Sequence, residues 1–193
     1  EIRRRAPFVD IVVGTGNISA IPDMIRQVMS RRQLAQNTRK PGAIKSAGGM
    51  VTSLALPERK GAVVTDIPLR TVLRKPKLKA HVPIMYGCDK FCTFCIVPFT
   101  RGRERSRPTD EILSEIRGLA LSGTREVTLL GQTVNSYGKN LLEGRVSFSQ
   151  LLWQLHEIDG LQRIRYTSPY PRDFRTDLIQ TIRDCPKVME HVH

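Results

Sequence analysis

No run of about 18 apolar residues occurs in the 193-residue chain, which argues against a membrane-spanning helix. Nor is there a secretory signal, because the charged opening Glu1-Ile2-Arg3-Arg4-Arg5-Ala6-Pro7 leads into only a short apolar stretch. A cytoplasmic protein with no membrane partner is expected. Acidic residues are scarce: 18 Asp and Glu face 31 Lys and Arg, a formal charge of +13. A field of that sign favours phosphate-rich partners, nucleic acid first among them, although a solvated basic linker would inflate the same number. Cysteine is sparse too, four in all, without the paired CxxC halves of a zinc framework. There is no initiator Met, and the chain stops at Val192-His193 within an alternating apolar run, so we read it as a piece of a longer protein.

With 40% hydrophobic and 25% charged residues, the chain can build one ordinary core or parts of two domains. Phe8 to Gly14 reads as a β-branched strand, and Ile21, Met24, Ile25, Val28 and Met29 then recur at helical spacing. Gly14-Thr15-Gly16 lacks the third glycine of a phosphate-binding loop and is explained by a turn. From 32 to 78 the chain is basic and punctuated, as at Arg39-Lys40-Pro41-Gly42, Gly48-Gly49 and Arg74-Lys75-Pro76, with short strands conceivable at Val63-Val64-Thr65 and Thr71-Val72-Leu73. Such length without periodicity belongs between domains.

After Lys79 the pattern becomes regular. Strands are predicted at Val82–Tyr86, Val127–Gly131 and Ile164–Ser168, with a fourth starting at Val188. Helices are predicted over Thr109–Leu121, with Thr109 as N-cap and Gly123 as stop, over Phe148–Ile158 and over Asp173–Arg183. Strand and helix in alternation, with nearly apolar strands, imply right-handed crossovers and a parallel sheet, in a βα barrel or an open doubly wound fold.

The chemistry is concentrated in Gly87-Cys88-Asp89-Lys90-Phe91-Cys92-Thr93-Phe94-Cys95-Ile96-Val97-Pro98, which follows the first of these strands. Parallel α/β folds place active sites at that end of the strands. The CxxxCxxC spacing lets Cys88, Cys92 and Cys95 turn toward one centre, as ligation of an iron–sulfur cluster requires. Ordinary electron-transfer clusters take four cysteines; three leave one iron open to an external ligand. Were S-adenosylmethionine to chelate that iron, an electron from the cluster could cleave its sulfonium and release a 5′-deoxyadenosyl radical. Zinc is one alternative, with His81 or Cys185 as fourth ligand, and would make the chain a nucleic-acid-binding module. A Cys92–Cys95 redox pair is another, which leaves Cys88 without a role. Cys185, isolated before Pro186, reads as a structural thiol.

The segment from Gly87 through Thr100-Arg101-Gly102-Arg103-Glu104-Arg105-Ser106-Arg107-Pro108 resembles the radical S-adenosylmethionine methylthiotransferases, most of all those that act on isopentenyladenosine beside the transfer-RNA anticodon. Further matches are Glu126-Val127-Thr128-Leu129-Leu130-Gly131-Gln132-Thr133-Val134-Asn135, Arg163-Ile164-Arg165-Tyr166-Thr167-Ser168 and Arg3-Arg4-Arg5-Ala6-Pro7-Phe8-Val9-Asp10. The resemblance implies a tail of an α/β amino-terminal methylthiotransferase domain over 1–31, a basic linker over 32–78, and the first half of a radical (βα) barrel over 79–193. It implies that Cys88, Cys92 and Cys95 hold a 4Fe-4S cluster that binds S-adenosylmethionine, that Phe94 lies beside the adenine, and that Gln132 lies near the methionyl amino group. Loop packing for Phe94 and a strand-end hydrogen bond for Gln132 are equally good explanations. A second 4Fe-4S cluster, the later barrel strands and an RNA-binding carboxy-terminal domain would lie outside this stretch, so the fragment is not expected to turn over alone. Methylthiotransfer to threonylcarbamoyladenosine or to a ribosomal-protein aspartate is the nearest alternative activity. The electron donor and oligomeric state are not legible.

Arg101, Arg103, Arg105 and Arg107 alternate just beyond the cluster loop. In an extended segment they would meet the phosphates of an anticodon stem-loop. Internal pairing with Glu104, Asp110 and Glu111 is the competing expectation.

Overall fold

The structure, a computed structural model, describes residues 1–37, 49–54, 77–141 and 144–193. It separates into two compact units, Glu1–Glu58 and Arg59–His193.

In the first unit the helical turn α1 (Ile2–Arg5) precedes β1 (Ile11–Val13), a 3-10 stretch at Thr15–Ala20 and the long helix α2 (Ile21–Asn37). β1 pairs in parallel with β2 (Val51–Ser53), Ile11 opposite Val51. Gly14 donates its N–H to the Ser53 carbonyl at 2.7 Å, and Asn17 N–H donates to the Gly14 carbonyl at 2.9 Å, which opens the 3-10 stretch as the turn the sequence suggested. Two findings depart from the expected boundaries: α2 continues past Arg31, and β2 lies within the stretch read as linker. Arg32 ties the extra helical turns to Asp10 at 2.6 Å. A three-residue strand is too short for periodicity to reveal. The strands considered at 63–65 and 71–73 lie outside the described residues.

The second unit holds β3 (Lys79–Pro83), β4 (Met85–Tyr86), α3 (Val97–Thr100), β5 (Arg105–Ser106), α4 (Thr109–Leu121), β6 (Glu126–Leu130), α5 (Phe148–His156), β7 (Arg163–Tyr166) and α6 (Thr176–Asp184). β3, β6 and β7 form a parallel sheet in that order, with Ala80 opposite Val127 and Val127 opposite Ile164. A parallel bridge between Ile164 and Val188 begins a fourth position on the sheet, as expected. The first strand is divided: after Pro83, which has no N–H to give the ladder, the chain turns away as β4 and pairs antiparallel with β5.

Alternation decides which face is covered. Ala80, Val82, Val127, Leu129, Ile164 and Tyr166 are buried in one core with Ile112 and Ile116 of α4, Leu151, Leu152 and Leu155 of α5, and Leu178 of α6. Truncating one such leucine to alanine costs about 2–5 kcal/mol. The other face is polar: Lys79 and Arg165 both reach Glu126, at 3.2 and 3.3 Å. Residues of these three helices share that one core with the apolar face of the sheet, a mixed α/β arrangement.

Helix ends follow local chemistry. Ser147 and Gln150 form a reciprocal capping box at the start of α5. Thr109 is not the N-cap of α4. Pro108 takes that position without a side-chain cap, and the Thr109 hydroxyl instead meets Tyr137 Oη at 3.0 Å. α6 starts at Thr176, later than expected, because Pro171–Asp173 forms its own 3-10 turn.

Candidate cluster site

The loop after β4, the loop after β6 and the loop after β7 meet at the carboxyl edge of the sheet. Gly87 opens the first of them with φ +75°, and a Cβ there would lie 2.0 Å from the Arg103 carbonyl oxygen. Only glycine fits. Its N–H donates to Gln132 Oε1 at 2.7 Å, and Cys88 N–H donates to the Gly102 carbonyl at 3.2 Å. Cys95 N–H closes a turn onto the Cys92 carbonyl at 2.9 Å. Between the first two cysteines Phe91 has φ 46°, a left-handed conformation that costs a non-glycine residue about 1–2 kcal/mol.

All three loop cysteines are free thiols, Cys88 buried and the other two half-buried. Burial pushes the Cys88 thiol above its ordinary range; Glu104 and Cys95 push the same way, while the Lys90 N–H and the Thr133 hydroxyl pull against them. Among the described residues no three His, Cys, Asp or Glu side chains are gathered into a metal-sized cage as they stand. What fits an iron–sulfur cluster is the donor set: three unpaired thiols in one short loop whose backbone turns are fixed by hydrogen bonds. Cys185 is 1% exposed and follows α6, and Val188, three residues on, pairs with Ile164 near the start of β7. That is the amino edge of the sheet, opposite the loop, which removes Cys185 as a fourth ligand.

The other predicted residues separate in character. Phe94 is 95% exposed, so loop packing does not account for it. Gln132 has its amide oxygen committed to Gly87, which is the strand-end hydrogen bond considered for it, and this bond joins the second loop to the first. Arg101 is exposed at the end of α3, Arg103 pairs with Asp89 at 2.7 Å, and Arg105 is half-buried in β5. Arg107 departs from the expected row. Its side chain is 5% exposed, bonding Glu115 and the Pro83 carbonyl at 2.8 and 2.7 Å, with Glu111 at 4.0 Å, so its charge serves the fold and not RNA. Arg107→Ala in the full-length protein should lower unfolding free energy by about 3–5 kcal/mol, since it strands a carboxylate. Chemical denaturation measures this, and a loss under 1 kcal/mol would contradict the assignment.

A polar floor lies beneath the loop, and little in the sequence announces it. Lys90 reaches Asp173 at 2.5 Å, and Asp173 also accepts from Ser136 at 2.5 Å and from Lys139 at 3.3 Å. Burial opposes charge on Asp173, but hydrogen bonds from Lys90 and Ser136 outweigh it and hold the carboxyl below its usual range. Burial likewise opposes the Lys90 charge, yet Asp173 and Glu104 raise the ammonium above its usual value. Asn135 and Tyr170 exchange two hydrogen bonds of 2.8 Å, linking the second and third loops. Thr133 donates to buried Glu104 at 2.9 Å. Tyr137, its hydroxyl donating to the Arg107 carbonyl at 2.9 Å, is pushed up to about 12 by burial. The one sequence cue was the charged pair Asp89-Lys90 inside a loop otherwise given to cysteine and aromatic residues.

The profile of the Radical SAM superfamily matches residues 82–193, and the chain belongs to that superfamily. Full-length relatives narrow the comparison. The tRNA-2-methylthio-N(6)-dimethylallyladenosine synthase of Moorella thermoacetica is 42% identical over 193 residues, covering 100% of this chain and 38% of that protein. The enzyme of the same name from Rhodopirellula baltica is 46% identical over 200 residues, again covering 100% of this chain and 38% of its own length. The chain thus spans under two fifths of these relatives. Among solved structures, a radical S-adenosylmethionine methyltransferase from Kitasatospora setae aligns with a TM-score of 0.38 and 17% identity, over 55% of this chain and 21% of that one.

Proposed function

We propose that the full-length protein carrying this chain is a cytoplasmic transfer-RNA methylthiotransferase that modifies carbon 2 of isopentenylated adenosine beside the anticodon, and that this segment builds its radical-generating site. The observation that carries the proposal is the three-thiol loop at the carboxyl edge of the parallel sheet, with the remaining cysteine at the opposite edge. Cys88, Cys92 and Cys95 would hold a 4Fe-4S cluster, which together with S-adenosylmethionine would supply one-electron cleavage of a sulfonium and so a radical able to abstract hydrogen from the substrate. Around it this chain's residues bind and orient. Gln132 fixes the first turn of the loop, and exposed Phe94 offers its face to the adenine. Names of the relatives and the net charge of +13 support an RNA substrate.

Mass spectrometry of transfer RNA from cells lacking their own enzyme, complemented with the full-length gene, tests the proposal. Methylthiolated isopentenyladenosine is the expected product. Unmodified isopentenyladenosine with a methylthiolated threonylcarbamoyladenosine or ribosomal-protein aspartate would overturn it.

Of the arginine row, the exposure of Arg101 and Arg103 supports contact with the anticodon stem-loop. Phosphate contacts release counterions, so Arg101→Ala with Arg103→Ala should weaken RNA binding and flatten its log–log salt dependence by about 0.7–0.9 per lost contact. Cluster content should stay constant. An unchanged slope would assign Arg103 wholly to its pair with Asp89.

A further inference from the structure

Lys90 stands between the first two cysteines of the loop, yet its ammonium is directed into the polar floor. It pairs with Asp173 at 2.5 Å, lies 3.8 Å from Glu104 and sits over the Tyr170 ring at 5.0 Å from its centre. Its side chain is 13% exposed, and those of Asp173 and Glu104 are 17% and 5% exposed. Lys139, at 3.3 Å from Asp173, is the other cation in the group. Two cations therefore face two carboxylates. Removing either Lys90 or Asp173 leaves one uncompensated charge against the cysteine loop, of opposite sign in the two cases.

The residue after Lys90 is Phe91 at φ 46°. A non-glycine residue keeps such a conformation only where its surroundings hold it. On the far side of Lys90, Asp89 pairs with Arg103 at 2.7 Å and accepts from the Glu104 N–H at 3.3 Å. Asp89 and Lys90 thus fasten the strained turn to two separate anchors, one near in sequence and one, Asp173, in the loop after β7.

Resting on the assignment of a cluster to this loop, we propose that Lys90 is a positioning residue for that cluster. It pins the Cys88–Cys92 turn to the third loop, and it keeps a positive charge beside the ligand-bearing segment that favours the reduced state. The role belongs to Lys90 with Asp173 as its anchor.

The test uses the full-length protein, reconstituted anaerobically, in the wild type and in Lys90→Met, Lys90→Arg and Asp173→Asn. Two quantities are read: the rate at which a chelator strips iron, and the reduction potential of this cluster. Lys90→Met should lose this iron at least several-fold faster and show a more negative potential, and Lys90→Arg should restore both toward the wild type. Asp173→Asn should also strip faster but shift the potential the other way, because it removes a negative charge. General loosening of the loop would move both variants alike. Equal stripping rates and potentials in Lys90→Met and the wild type, or shifts of one sign in Lys90→Met and Asp173→Asn, would overturn the proposal. Should Lys90→Met fail to load, Asp173→Asn decides alone: faster loss with a more positive potential supports the anchor, and wild-type values refute it. A wild type that takes up no iron at this loop would instead refute the cluster assignment itself.

Discussion

Anaerobic reconstitution of the full-length protein with Cys92→Ala should give a chain that lacks the iron of this loop, about four atoms for one cubane cluster. Three thiols leave no spare donor, so Cys88→Ala and Cys95→Ala should match it. Cys185→Ala should keep its iron, since that thiol is 1% exposed beneath the opposite edge of the sheet. Its effect should be on stability alone. Iron and sulfide analysis with visible absorbance reads the outcome, and equal iron loss in the Cys185 and Cys92 variants would make Cys185 a ligand. Zinc in place of iron and sulfide would convert the site into a structural metal centre.

Gly87→Ala should be the most damaging single change outside the cysteines. At φ +75° the new Cβ is strained by its backbone and also lies 2.0 Å from the Arg103 carbonyl oxygen. Backbone on that side cannot move freely, because Cys88 N–H is bonded to the Gly102 carbonyl and β5 begins at Arg105. Strain and overpacking together should cost about 2–6 kcal/mol. The loop would have to open, releasing the bond between Gly87 and Gln132. Thermal unfolding and cluster loading should fall together. A Gly87→Ala protein with wild-type melting and iron content would show that the turn is not held as described.

The core was legible because its rows obey simple periods. Val127 and Leu129 alternate with Thr128, Ile112 and Ile116 recur at helical spacing, and all four apolar residues are fully buried. The cysteines were legible because few chemistries need three thiols in one loop. Less visible were features that depend on partners distant in sequence. Arg107 looked like its neighbours Arg101 and Arg103, but Glu115 on α4 and the Pro83 carbonyl draw it inward. Asp173 looked like a helix start, while its carboxylate is the shared acceptor of Lys90, Ser136 and Lys139. Nothing local distinguishes such a residue from any other surface acid. The division of the first strand at Pro83 belongs to the same class, since β4 exists only by virtue of its pairing with β5.

The pair between Lys90 and Asp173 joins residues 83 positions apart in the chain. On a ribosome adding about 5–20 residues per second, the cysteines precede their anchor by roughly 4–17 s. During that interval the loop can be held by Gly102, Arg103 and then Gln132, while its connection to the third loop does not yet exist. The site is therefore built in stages during synthesis, and the fastening to Asp173 arrives only with the βα unit of β7 and α6. For those seconds the nascent protein displays three thiols on a turn not yet fastened to the third loop, and an oxidant that reached them first would take the donors the loop offers to a metal.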